Sequence, residues 1–497
     1  MDMPHAALMR SELSADLGEN VAKLKAILNA GVNADAHFRD FMAGDARVCV
    51  IYIEGMASDQ KINDFILRAM AEGPSPKGAA GVEWLKDRVL EVAQCDAERR
   101  VEKLVRGVVT GMTAVLAEGC DEGLLLETRG YPARQVDKTT NESVVLGSQE
   151  GFVESLRTNL TLIRRYVPSP HLVAEALTVG TAIPCQVSLI YLEGVVRPGV
   201  VEALRARLKQ VDAPAVRGIG ELQQFIEDRP AALLPQMLQT ERPDRAAACL
   251  MDGQAVVLAD NSPYALVAPV SVFHLLHASD DAFARWQYGS FLRAIRFLGL
   301  LISVFLPGLY IALTDYHMHL IPMSLLTSIA EARSGVPFPI LVEILIMEFS
   351  FYLINEAGTR MPRQIGSALG IVGALILGQA AVSASIISPI LIIIVALTGL
   401  GNYAVPDYGF GLGLILCRLG VLVAGALFGL YGICVAAYCM AAALCGMRSL
   451  GQPYVAPVAP PRLHNCDILL RLPAWLGVHA MPWAKPRNWM EGDAREA

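Results

Sequence analysis

The composition of the chain breaks near residue 290. Before that point charged and apolar residues alternate as in a water-soluble domain. From Phe297 to about Met447 there follow long apolar stretches, with the few ionisable residues close together between them. A helix crosses a bilayer on roughly 20 consecutive apolar residues, so the break separates a polar head from a helical membrane part. The chain's 54% hydrophobic and 18% charged residues are far from evenly spread, and the second part carries the apolar excess. A large head joined to several spans suggests a sensor, channel or transporter subunit rather than a plain enzyme.

The expected fold is an α/β cytoplasmic head of two related subdomains followed by an α-helical polytopic membrane domain. The first subdomain is placed at residues 1–127, a linker at 128–148 and the second subdomain at 149–290. The membrane domain, with about six apolar segments, covers 291–450, and a Pro-rich cytoplasmic tail covers 451–497. A net charge of −7 with no basic run argues against nucleic acid as a partner. Cys49, Cys95, Cys120, Cys185 and Cys249 are scattered singly, without Cys-x-x-Cys or a nearby His pair, so reduced buried thiols are expected rather than disulfides or zinc. Met1 to Asn20 lacks the apolar core of a cleavable signal, which leaves the first span to direct membrane insertion.

The head contains a repeat. Val48-Cys-Val-Ile-Tyr-Ile-Glu-Gly55 reads as a buried β-branched strand ending at glycine, and Val187-Ser-Leu-Ile-Tyr-Leu-Glu-Gly194 nearly copies it. Helical patterns precede each string (Leu17–Leu28, Phe152–Tyr166) and follow it (Gln60–Ala71, Gly199–Val211). Helix–strand–helix order in both copies implies two related units around a parallel or mixed sheet. A further strand pair, Ala255–Leu258 and Ala265–Val267, flanks the turn Asp260-Asn261-Ser262-Pro263, and Thr128–Ser148 is polar and turn-rich. The two units could shift about that linker as a bistable element, or be held fixed.

No catalytic constellation stands out: the head has no P-loop, dinucleotide fingerprint, zinc-protease helix or nucleophile elbow. Asp252 and Asp260 read better as turn caps than as a working carboxylate pair, and His274 with His277 as interface anchors rather than metal ligands. No cofactor and no enzyme activity are expected.

In the membrane part, Phe297–Leu313 makes a first span with Pro307 inside it, flanked by Arg285, Arg293 and Arg296 on the head side. That charge bias places the head in the cytoplasm. Leu320–Ile329 is too short to span and fits the interface. Phe338–Ile354, Ile365–Ala384 and Ile386–Asn402 follow, and the 39 residues of Gly409–Met447 are about twice a bilayer if helical, which calls for a hairpin turning near Gly429–Gly432. Arg448, Arg462, Arg471, Lys485 and Arg487 put the tail inside, so the crossings are even in number: six, or four if two segments are re-entrant. Gly366, Gly370, Gly373 and Gly378 offer small faces for close helix packing.

The candidate site lies on the segment Pro339–Glu356. Helical spacing gathers Glu348, Tyr352, Asn355 and Glu356 into one polar stripe, with Glu343 and Ser350 on a second edge. Charges inside a span face a bundle interior or a water path. In a ring of copies Glu348 would form a carboxylate ring favouring cations; alternatively the acids are structural partners of Arg360, Arg363 or Arg418. Arg418, within the last hairpin, calls for a carboxylate partner in a neighbouring span.

Several ordered blocks carry a resemblance. They are Glu150–Arg165 and Thr240-Glu-Arg-Pro-Asp244 in the head, then Val336-Pro-Phe-Pro339, Met347-Glu348, Glu356-Ala-Gly358, Arg360-Met-Pro362, Ile371-Val-Gly-Ala-Leu375 and Gly378-Gln-Ala-Ala-Val382, with Gly451-Gln-Pro-Tyr454 after the last span. Together they make the chain resemble, along nearly its whole length, the A subunit of the GerA family of spore germinant receptors. The resemblance implies a receptor in the inner membrane of a bacterial endospore, working with a transporter-like B subunit that binds the nutrient and a lipoprotein C subunit. It further implies a homo-oligomer, such as a pentamer, forming a germinant-gated channel for monovalent cations. A non-conducting scaffold and the stage V sporulation paralogue of the A subunit are the alternatives. Four ionisable positions of the family pattern are neutral here, at Tyr352, Asn355, Ser383 and Ile415, while Glu343, Glu348, Glu356 and Arg418 remain.

Overall fold

The computed structural model describes residues 5–43, 46–72, 82–130, 139, 142, 144, 146–360, 378–460, 471 and 473. Two five-stranded sheets form the head. The first contains β1 (Ala36–Ala43), β2 (Ala46–Ile53), β3 (Cys95–Glu98), β4 (Thr113–Ala117) and β5 (Gly123–Leu126) in the order β1-β2-β4-β5-β3. The second contains β6 (Leu172–Val179), β7 (Cys185–Leu192), β8 (Leu238–Thr240), β9 (Ala255–Ala259) and β10 (Ala265–Ala268) in the order β6-β7-β9-β10-β8. The two orders are the same permutation, so the repeated string marks a repeated topology. Its strands, β2 and β7, sit second from one edge in each sheet.

The sheets are not parallel or mixed, as expected from the sequence: every strand pairing within them is antiparallel. The reason lies in two strands the hydrophobic pattern hides. β1 is polar and partly exposed, β6 is apolar without clean alternation, and each pairs in a hairpin with the following apolar strand, Phe38 opposite Ile51 and Ala174 opposite Ile190. Adjacent strands joined by short turns run antiparallel, whereas parallel neighbours need a crossover.

Alternation along the strands feeds both faces of each sheet. In the first, Cys49, Ile51 and Leu116 face α1 (Leu17–Ile27) and α2 (Val101–Val109), while Val48, Val50 and Val115 face the helical stretch 59–72 and the helix Val82–Arg88. In the second, Val187, Leu189 and Val257 pack on α4 (Pro198–Gln210). Their alternates Ile190, Val256 and Leu258 pack on α3 (Leu156–Tyr166) and α5 (Pro243–Met251). This last core does not stop at the head. It continues through Val304, Phe410, Leu414 and Val421 of the helical part.

The head units are joined by a buried ion pair. Arg164 of α3 donates to Asp35 Oδ1 at 2.5 Å and to Asn33 Oδ1 at 3.0 Å, and Ala34 N donates to Ala174 O at 2.9 Å. Arg164 is 1% exposed and Asp35 4%, so the pair lies in the seam itself. Of the linker, 131–138 and several later positions lie outside the described residues. Glu142 is tied to the second unit by Thr240 Oγ1 at 2.9 Å and Arg245 Nη1 at 3.3 Å.

The helical part begins with α6 (Val272–Leu276) and α7 (Trp286–Ile311), which runs on through a π-turn to Tyr316. Then come α8 (Met323–Arg333), α9 (Ile340–Arg360), α10 (Pro389–Tyr403) and α11 (Tyr408–Gly446). Among the described residues two helices, Trp286–Tyr316 and Tyr408–Gly446, are long and apolar enough to cross a membrane. Most of the expected span Ile365–Ala384, including Gly366, Gly370 and Gly373, lies outside the described residues.

α11 is a hairpin. Its helical path breaks at Gly429, where φ 59° and ψ −143° belong to a region open to glycine. A Cβ on Gly432 would stand 2.1 Å from Ala424 O, an approach impossible in a straight helix. Both ends return to one segment of the head. Gly413 packs on the Leu233 carbonyl, and just past the other end Ser449 Oγ donates to Gln236 O at 2.7 Å. The outer end of α7 meets the turn, Tyr316 Oη donating to Ala426 O at 2.6 Å.

Candidate functional site

α9 is apolar except for the stripe, and the structure separates the members of that stripe. Glu348 and Glu343 turn inward. Glu348 Oε2 lies 3.0 Å from Arg418 Nη2 of α11, and Arg418 also donates to Ser303 Oγ of α7 at 3.4 Å. The Arg418 guanidinium stands 5.6 Å from the centre of the Tyr352 ring, one helical turn beyond Glu348. Glu348, Tyr352 and Arg418 thus form one group, with Arg418 3% exposed. Charges taken out of water persist when paired and hydrogen-bonded, and Arg418 has the span carboxylate its position calls for.

Glu343 is 1% exposed and accepts from Arg333 Nη2 at 3.2 Å and from the Ser388 backbone N at 3.1 Å. The second bond places its carboxylate at the N-terminus of α10, where the helix dipole favours a negative charge. Arg333 was not among the partners expected from the sequence, because it lies in the short helix α8, which looks merely interfacial. Asn355 accepts from Tyr403 Oη of α10. Glu356 stands exposed, on the same face as Phe349 and Leu353, which are 69% and 59% exposed. Ser383 is exposed, and Ile415 is half-buried on α11 one turn before Arg418.

Small residues bring the helices together. A Cβ on Gly401 would lie 2.4 Å from Gly299 O, and one on Gly425 2.8 Å from Gly308 O, so α7 meets α10 and α11 backbone to backbone. Ser303, which Arg418 reaches, lies between Gly299 and Gly308 along α7.

A second polar cluster joins head to helices, and the sequence reading missed it. Arg245 of α5 donates to the carbonyls of His274 at 3.1 Å and His277 at 2.8 Å, on the path into α7, while also holding Glu142 of the linker. Asp407 caps α11, accepting from Phe410 N at 2.7 Å. Burial pushes its carboxyl up to about 6, against the lowering effects of the Phe410 amide and nearby Arg245. Burial, with help from Arg245, drives the His274 imidazole down to about 3, so it is neutral at physiological pH. Its Nδ1 lies 3.0 Å from Ser271 Oγ within a capping box at the start of α6, a structural role for a residue weighed as an interface anchor. Asp260 similarly caps α3, accepting from Leu156 N at 3.2 Å, while Asp252 ends α5. At the foot of α7, Asp281, 2% exposed, lies 2.6 Å from Arg296 and 3.4 Å from Arg293. The arginines read as flanking charge thus also anchor the helix to the head. The sequence signal that could have revealed Asp407 was its place, as an acidic cap, directly before the longest apolar run.

The chain is similar to known proteins along most of its length. The chain matches the family described as Bacillus/Clostridium GerA spore germination protein over residues 22–479. It is 33% identical over 467 residues to spore germination protein KA of Bacillus subtilis (strain 168), covering 93% of this chain and 86% of that protein. To spore germination protein B1 of the same organism it is 34% identical over 467 residues, covering 93% and 96%. Spore germination protein GerLA of Bacillus cereus is 33% identical over 414 residues, covering 83% and 84%. The crystal structure of the N-terminal domain of the A subunit of the Bacillus megaterium spore germinant receptor GerK3 covers 52% of this chain and 96% of its own, at 23% identity and a TM-score of 0.38. With its two sheet units, helical hairpin and family match along most of its length, the chain belongs to the GerA family of spore germination proteins.

Proposed function

We propose that the chain is the A subunit of a nutrient-responsive germinant receptor and contributes the conducting part of a monovalent cation channel. In this reading it is a multi-pass protein of the inner spore membrane, with head and tail on the cytoplasmic side. It works with a transporter-like B subunit and a lipoprotein C subunit, and several copies assemble about an axis.

The observation that carries the channel reading is the distribution of charge on α9. Glu343 and Glu348 are buried against neighbouring helices, whereas Glu356 stands on the exposed face beside Phe349 and Leu353. A carboxylate facing lipid is costly. A second copy covering that face would move Glu356 from lipid to an axis, where a ring of carboxylates attracts cations. Glu356 is therefore the leading pore residue, and Glu348 with Arg418 the brace behind it.

The test is conductance of the full chain in planar bilayers. Potassium current that falls several-fold in Glu356→Gln, from particles of unchanged size, supports the channel. Equal current in Glu356→Gln and wild type sinks this pore assignment.

A non-conducting scaffold is the second reading. It is favoured by the core that runs unbroken from the second sheet into α7 and α11, a rigid path for relaying binding between partners. Full germination by a chain without measurable current, alone or with its partner subunits, would select it.

A further inference from the structure

Ahead of β8 the head carries Pro230-Ala-Ala-Leu-Leu-Pro235, an uncharged run bounded by two prolines. It is a closed loop. At its base the buried Gln236 side chain accepts from Arg229 N at 3.0 Å and donates to Arg229 O at 2.7 Å. Ala232 N also donates to Arg229 O at 3.0 Å, and Tyr454 Oη donates to Pro235 O at 2.7 Å. The prolines bring no N–H to satisfy. The two leucines part company. Leu234 is buried in the core that holds Phe410 and Leu414 of α11, whereas Leu233 is 56% exposed. The Leu233 carbonyl rests on Gly413, where a Cβ would stand 2.4 Å from it.

The length of the hairpin fixes how deep that contact lies. The break at Gly429 divides α11 into legs 408–428 and 430–446, of 21 and 17 residues. At 1.5 Å per residue they are about 31 and 26 Å long, against a hydrocarbon layer of about 30 Å. Neither leg has length to spare, so in a bilayer the head-side boundary falls near Tyr408. That residue is exposed and of the type enriched at membrane interfaces. Gly413 stands five residues further along, about 7.5 Å into the layer. Leu233 is carried there with it. Irregular backbone is tolerated at such depth only where protein covers it, and here the carbonyl faces α11 while the side chain faces out.

The charges beside the loop match this depth. Arg229 Nη1 lies 4.0 Å from where a Cβ of Gly446 would stand, at the head-side end of the second leg. Arg448, two residues past Gly446, is exposed as well. Among the described residues neither guanidinium has a carboxylate partner. Two unpaired cations thus sit at the level of the lipid phosphates, with an exposed leucine below them.

We propose that the 229–235 loop is a lipid-binding wedge of the head. Leu233 enters the acyl region of the head-side leaflet, and Arg229 with Arg448 holds the phosphate of an anionic phospholipid. The wedge ties the second sheet unit to the bilayer beside α11, and it rests on the reading of α11 as a membrane-crossing hairpin.

The experiment places a fluorescent amino acid at position 233 of the full-length chain in phosphatidylglycerol-containing vesicles. Exposed Leu416 of α11 and exposed Ile183 of the head carry the same probe as references. Lipid bearing a nitroxide near the top of its acyl chain is expected to quench position 233 several-fold more than aqueous iodide does, as at 416, with the reverse at 183. Quenching at 416 by lipid but at 233 by iodide overturns the wedge and leaves the hairpin standing. Protection of 233 from both quenchers overturns it too, because protein would then cover the leucine. Iodide quenching at 416 would overturn the hairpin and the wedge together. For the phosphate, energy transfer from the probe at 416 to labelled phosphatidylglycerol is expected at several-fold lower mole fraction than to labelled phosphatidylcholine. Arg229→Gln combined with Arg448→Gln should erase that preference; its survival in the folded variant overturns the phosphate contact.

Discussion

Arg418 of α11 and Glu348 of α9 meet at 3.0 Å across two helices, with the guanidinium also beside Ser303 of α7. One buried cation thus fixes the relative rotation of three helices, and its partner is the carboxylate that the spacing on α9 offered as a pore residue.

Removing either member strands a buried charge. Arg418→Met or Glu348→Leu alone should lower stability by about 3–5 kcal/mol. The double variant should recover most of that, since two apolar side chains leave no charge to satisfy. Thermal unfolding of the four proteins in detergent measures the cycle. Additive losses would show that the two residues do not act as a pair.

Asp35 and Arg164 make the corresponding joint in the head. Asp35→Ala leaves a guanidinium that is 1% exposed without its carboxylate, and a loss of about 3–5 kcal/mol is expected. Hydrogen exchange should then rise at the seam, in residues 33–35 and 172–174, before it rises in the sheet centres. Uniform change across both sheets would mean that the seam is not where the pair acts.

The hairpin turn depends on the absence of side chains. At Gly429, with φ 59° and ψ −143°, alanine should cost about 1–3 kcal/mol. Gly432→Val should be worse, because its Cβ would stand 2.1 Å from the Ala424 carbonyl. Folded yield after size exclusion, compared with Gly420→Ala where no neighbour lies within 4 Å, provides the check.

Asp407 makes stability depend on pH. Its folded-state value of about 6 lies above the ordinary 3.8, so the folded protein holds the proton more tightly than the unfolded chain. Stability from this group is therefore greatest at low pH and falls as pH rises from about 4 to 6, by up to about 3 kcal/mol. His274 works in the opposite direction: its depressed value makes the unfolded chain take up the proton first, so its contribution is lost as pH falls below 6.5. Comparing wild type with Asp407→Asn isolates the carboxyl. The variant should gain on wild type between pH 4 and 6 and hold a constant difference above. A difference independent of pH would rule out a raised carboxyl.

The periodicities of the chain were enough to place the strands β2 and β7, the helices on either side of them, and a 39-residue apolar run that had to fold back near Gly429. These follow from local rules: alternation, glycine at a positive φ, and the length of a helix against the thickness of a bilayer. Strand direction was not legible, because β1 is too polar to announce itself, β6 shows no clean alternation, and only pairing with β2 and β7 reveals the hairpins. Of the charge partners, Arg418 was anticipated among three arginines that the span acids could meet, but the choice between them was not legible. Spacing along α9 put Glu348 and Glu356 on one stripe, yet Glu348 faces Arg418 and Glu356 stands exposed, since a stripe on a helix spans enough arc for its two edges to meet different neighbours. Arg333, Arg245 and Asp281 found their roles only when elements distant in sequence came together. An ion pair belongs to the packing of helices against one another, and a single helix's sequence records the charge but not what it meets.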